Sequence, residues 1–164
     1  MRLTAKLAGL IHKYRGRFVP TKKCAKLIAL HGMGGIYHLL FEAYVRRFNW
    51  AYRDRYQELG FIQQSFLFSL YLLDRFGADW QTNTFYEGCF LKAFPMILEQ
   101  VEPRAFFSPE EHVRSCYCLR CLVSFFPFFG LARVEPVSED IVNREYRIKK
   151  LPLLEHAVHF HLSE

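Results

Sequence analysis

No aspartate or glutamate occurs in the first 41 residues of this 164-residue chain, although that stretch holds eight Lys or Arg. Residues 42–58 add four Arg against three acids, and from Leu59 onward ten basic residues face thirteen acidic ones. The formal net charge of +6 therefore belongs to the N-terminal end. Long apolar runs are also missing. The most apolar stretches, Phe61 to Leu73 and Leu119 to Ala132, are interrupted by Gln63, Gln64, Arg120 and Pro127. They fall short of the roughly 20 apolar residues that span a bilayer. Arg2 and Lys6 are not followed by the apolar run of a secretory signal. The expectation is a protein without a membrane segment. Five cysteines are an odd number and too few for a disulfide scaffold, which points to a reducing cytoplasm.

Catalytic signatures are equally scarce. His31-Gly32-Met33-Gly34-Gly35 is rich in glycine, but no strand precedes it and its spacing matches neither phosphate-binding fingerprint. It reads as a turn between helices. There is no serine-hydrolase elbow, kinase loop or H-E-x-x-H. Cys116, Cys118 and Cys121 form a C-x-C-x-x-C run, with His156, His159 and His161 near the C-terminus. On one helix Cys116 and Cys118 point about 200° apart, so the three thiols cannot share one zinc. Cys118 and Cys121 could supply two ligands with C-terminal histidines. Buried apolar cysteines on an aromatic helix are the simpler account. Glu110 and Glu111 resemble paired acids, and a helix cap explains them fully. The expectation is a non-enzyme with no cofactor and no metal.

What is abundant is apolar and aromatic surface: 51% hydrophobic and 17% aromatic residues, enough for a sizeable core. Seventeen phenylalanines also imply more apolar surface than a monomer covers, hence a homo-oligomer. Met1 to Pro20 carries Arg2, Lys6, Lys13, Arg15 and Arg17 around Leu3, Leu7, Leu10 and Ile11, a spacing that fits one amphipathic helix acting as a basic arm. Residues 21–164 read as a single helical domain. Thr21 caps a helix through Leu30, and Tyr37, Leu40, Phe41, Tyr44, Val45 and Phe48 stripe the next. Arginines and aromatics alternate from Arg46 to Tyr56, a pattern that serves either base stacking or continuation of the core stripe. Phe61 to Phe76 is predicted to be the central buried helix. A further apolar helix starts at Thr84 and is split after Phe94 by Pro95.

The stretch from Ser108 to His161 organises the rest. Ser108-Pro109-Glu110-Glu111 is a capping box with proline at the first helical position. The helix runs through Val113, Tyr117, Arg120 and Ser124 until Pro127 and Gly130 end it. Leu131 to Glu135 and Glu145 to Lys149 then alternate with period two. Paired antiparallel, they put Ala132, Val134, Tyr146 and Ile148 on one face and Arg133, Glu135, Arg147 and Lys149 on the other. A closing helix begins at Leu151. Helix, "FGLARVE", hairpin and "YRIKKLPLLEHAV" resemble the end of a winged-helix domain of bacterial regulators, over about a third of the chain. The resemblance implies that the Ser108 helix stands in the recognition position and that Pro136 to Arg144 is the wing.

The fold class expected is mainly α, with a small C-terminal antiparallel hairpin of winged-helix-like layout and a closing helix. The leading functional expectation is a cytoplasmic, non-enzymatic DNA-binding regulator or accessory protein. Arg2, Lys6, Lys13, Arg15, Arg17, Lys22, Lys23, Arg120, Arg144, Arg147, Lys149 and Lys150 would meet phosphates, with Arg114 and Ser115 at base edges. Against this, the wing tip carries Glu139 and Asp140, which phosphates repel. The alternative is an interaction and oligomerisation module whose basic N-terminus docks on an acidic protein.

Overall fold

A computed structural model of the chain describes residues 2–52, 54–103, 105, 107–137, 145–158 and 160. The protein is mainly helical, with two small antiparallel sheets among the described residues, and divides into two compact units, Met1–Trp50 and Ala51–Glu164.

The first unit opens with helix α1 (Arg2–Leu7) and a two-stranded ribbon, β1 (Ile11–Tyr14) and β2 (Arg17–Pro20). The single helix expected over Met1 to Pro20 therefore stops after two turns. Arg15 and Gly16 have φ of 45° and 81°, the positive pair of a type I′ hairpin turn. Beyond it Phe18 and Val19 favour strand. Ile11 pairs with Pro20, His12 with Val19, Lys13 with Phe18 and Tyr14 with Arg17. The ribbon is anchored at its base, where Thr21 donates N–H to the Leu10 carbonyl (2.9 Å) and its hydroxyl to the Gly9 carbonyl (2.9 Å).

Thr21 also caps α2 (Lys22–His31) as expected, its Oγ1 accepting from Cys24 N at 3.2 Å. The turn at Gly32 leads into α3 (Gly34–Arg46). At Gly35 a Cβ would lie 2.8 Å from both the Leu27 carbonyl oxygen and His31 Cβ, so glycine is what lets α2 and α3 cross this closely. Leu10, Cys24 and Ile36 form the buried core there, with Ala8, Leu27, Leu39 and Leu40 packed around it. The N-terminal residues thus help build their unit. Arg47 donates to the carbonyl of Leu7 at 3.2 Å, satisfying an orphan acceptor at the end of α1.

The second unit contains α4 (Gly60–Gln64), α5 (Phe66–Phe76), β3 (Gln81–Thr82), α6 (Asn83–Ala93) and a short 3₁₀ helix, Pro95–Gln100. The helix expected over Phe61 to Phe76 breaks at Ser65, whose hydroxyl donates to the Phe61 carbonyl at 2.7 Å and whose backbone leaves helical geometry. Pro95 does split its helix after Phe94.

Helix α7 (Pro109–Tyr117) carries the predicted capping box in full. It continues into a π-helical segment, Cys118–Phe125, and then α8 (Phe126–Phe128). Pro127 therefore does not stop the rod. It sits at the start of α8, where its missing N–H costs little, and the chain turns only at Gly130. Phe90 of α6 stacks on Tyr117 of α7 at 4.2 Å, and the Tyr117 hydroxyl meets Ser69 of α5 at 3.2 Å.

Strands β4 (Ala132–Pro136) and β5 (Tyr146–Lys150) form the predicted hairpin, with Val134 opposite Ile148 and Glu135 opposite Arg147. Ala132 and Ile148 are buried, whereas Arg133 and Arg147 point outward. The two-residue strand β3, too short for a period-two signal, pairs with β5 and gives the order β3-β5-β4. Asn83 fixes the junction by accepting the Tyr146 N–H at 2.8 Å. The closing helix is α9 (Pro152–Ala157). Wing residues 138–144, including Glu139, Asp140 and Arg144, lie outside the described residues, as do His159 and His161. No helix among the described residues is long and apolar enough to cross a membrane.

Candidate nucleic-acid interface

Four of the cations expected to meet DNA from the second unit, Arg114, Arg120, Arg147 and Lys150, are engaged by acids of the same unit. Arg114 reaches Glu110 at 2.7 Å and Glu87 at 3.7 Å. This follows from the capping box, which sets Glu110 one turn before Arg114 on the same face of α7. Ser115 lies beside it, half-buried. Arg147 is held by Glu135 at 2.5 Å and lies 4.6 Å above the ring of Trp80. Its hydrogen bond, helped by Arg133, keeps the Glu135 carboxyl below the usual carboxylate range. Lys150 contacts Glu155 at 3.1 Å and Asp74 at 3.3 Å, and those partners raise its ammonium pKa. Lys149 is half-buried and makes no ion pair among the described residues.

Arg120 requires a correction. Its side chain is 1% exposed and bonds Asp54 at 2.6 Å and the Gln57 carbonyl at 2.8 Å, so it is a core group that presents nothing to phosphate. The exposed start of α7 adds Glu110 and Glu111 to this face. Hydrogen bonds from Ser108 hold the Glu111 carboxyl below its usual range, fixing a negative charge where a recognition helix would meet DNA.

The first unit has the opposite character. It contains ten Lys or Arg and one acid, Glu42, for a formal +9, while the second unit has twelve against fifteen, for −3. Arg2, Lys6, Lys13, Arg15, Arg17, Lys22, Lys23 and Lys26 are all exposed, and none takes part in an ion pair among the described residues. The helix start at Thr21 places Lys22 and Lys23 in the first turn of α2, directly after the ribbon.

The ribbon carries three cations around its tip, Lys13, Arg15 and Arg17. Its two rings are open to solvent, Tyr14 at 56% and Phe18 at 43% exposure. Arg15 stacks on Tyr14 at 5.4 Å and Arg2 on Phe18 at 5.7 Å, so each exposed ring carries a cation against it. Lys26, Tyr14 and Phe18 were not among the residues the sequence singled out. The signal available was the strand-like flanks of Arg15-Gly16, a weaker hairpin mark than Asn-Gly.

Glu87 accepts from Asn83 at 2.8 Å, and burial pushes its carboxyl pKa upward despite Asn83 and Arg114. Burial and the neighbouring Glu87 push the Cys118 thiol far up, opposite to what a nucleophile needs. None of the five cysteines forms a disulfide, and no group of three or more potential metal ligands converges among the described residues. No protein-family model, curated protein or solved structure matches the chain.

Proposed function

We propose that this protein is a non-enzymatic DNA-binding protein of regulator or accessory type, and that it holds the phosphate backbone mainly through its first unit. The observation that carries this reading is the partition of the cations. Those of residues 2–26 are exposed and without acidic partners among the described residues, while Arg114, Arg120, Arg147 and Lys150 are bound to carboxylates. Phosphate neutralisation by available Lys and Arg supplies most of the affinity in such complexes. The winged-helix-like segment of residues 108–161 then serves as a scaffold or a protein contact. A cytoplasmic setting fits five cysteines without a disulfide.

The test is binding of the full chain to random duplex DNA across a salt series. Wild type is compared with Lys22→Gln/Lys23→Gln/Lys26→Gln and with Arg147→Ala/Lys149→Ala. Affinity should fall steeply with salt, and the first variant should flatten that slope by roughly 0.9 for each phosphate it leaves unneutralised. The second variant should bind as wild type does. Absence of binding at low salt would point instead to an acidic protein partner for the first unit.

A further inference from the structure

Resting on the DNA-binding reading, the ribbon's geometry points to how the duplex is read: we infer that Ile11–Pro20 enters the major groove of B-form DNA with its Tyr14/Arg17 face toward the bases. The ribbon is exposed on both faces toward its tip, and hydrogen bonds from Thr21 fix its base. Two strands lie about 4.8 Å apart. With their side chains they fill a groove roughly 12 Å wide, whereas the minor groove, at about 6 Å, excludes them. The major groove of A-form RNA is too narrow and deep for the same entry.

The register decides which face turns inward. Cross-strand partners share a face, so Lys13 and Phe18 lie on one side and Tyr14 and Arg17 on the other. Arg2 stacks on Phe18 at 5.7 Å, which turns the Lys13/Phe18 side toward α1. The other side carries Arg17, Tyr14 and His12, with half-buried Val19 nearest the base, and Arg15 extends the tip. Arg17 has the planar fork that bonds guanine O6 and N7 together. No acid lies in the ribbon or its flanks to oppose entry.

The experiment uses the full chain and guanine-containing duplexes with or without methylation at guanine N7, which blocks the major-groove edge. Wild type should lose affinity roughly tenfold on methylated duplex, the scale of one bidentate arginine contact. Arg15→Ala/Arg17→Ala should bind weakly to both duplexes and show no methylation penalty. Wild-type binding that ignores methylation, or competition by a minor-groove ligand instead, would overturn groove entry while leaving the DNA-binding reading intact. Failure of wild type to bind any duplex, with binding to anionic phospholipid vesicles, would remove both.

Discussion

Asp54 and Arg120 are 66 residues apart in the chain, and their side chains meet at 2.6 Å while 9% and 1% exposed. The pair closes the segment before α4 onto the π-helical turn. Asp54 also accepts the Tyr56 N–H at 3.0 Å, and Arg120 donates to the Gln57 carbonyl, so little of either charge is left unbonded.

Breaking such a pair from one side strands the other charge out of water. Arg120→Met should lower the unfolding free energy by about 3 kcal/mol, measured by urea denaturation. A loss below about 1 kcal/mol would show that water reaches Asp54 after all.

Glu87 carries the opposite lesson, a carboxylate whose partners do not compensate its burial. Its native pKa lies above the unfolded value. The unfolded chain therefore gives up this proton first, and stability falls as pH rises from the ordinary carboxylate value through the native one. Glu87→Gln can keep the 2.8 Å contact with Asn83 while removing the charge. The variant should melt above wild type at pH 8, and the gap should close below pH ~4. Melting curves that stay parallel across that range would rule the charge out as the cause.

Gly16 has a φ of 81° and nothing within 4 Å of where a Cβ would stand. Gly16→Ala therefore tests backbone strain alone, a cost of about 1 kcal/mol in the left-handed region. Amide exchange across Ile11–Pro20 should quicken roughly fivefold, as that cost implies for local opening. Unchanged exchange would mean that the turn can change type freely.

Ser108 Oγ accepts from Glu111 N at 3.2 Å, and Glu111 returns the bond by accepting the Ser108 N–H at 2.8 Å. Ser108→Ala should cost about 1 kcal/mol of stability. It should also let the Glu111 carboxyl, now held low, titrate nearer its ordinary value in an NMR pH series. A Glu111 titration that does not move would assign the low pKa to another cause.

The features readable from the sequence are those encoded within a few residues. The Ser108 box, the Thr21 cap, the break at Gly32 and the alternation of β4 and β5 each depend on neighbours one turn or one pleat away. The N-terminal ribbon is hidden because Leu3, Leu7, Leu10 and Ile11 fit a helical stripe as well as they fit a short helix followed by a strand. The fate of Arg120 is out of reach for another reason: nothing near residue 120 announces Asp54. Nor does any local signal distinguish the π-helical Cys118–Phe125 from an ordinary helix. Charge asymmetry assigns the basic character to one end of the chain. It does not say which arginines elsewhere already have partners.

A two-stranded sheet has two outer edges and no third strand to cover either. On this ribbon the strands carry Lys13, Arg17 and, at the end of β2, Pro20, with Arg15 in the turn and no compensating acid. Like charges resist the approach of a second ribbon, and proline withholds a donor from any strand that tries to add. The cations proposed to meet phosphate therefore also disfavour edge-to-edge pairing of two such ribbons. Saturating them with a polyanion, or replacing them with neutral side chains, removes that guard along with the charge.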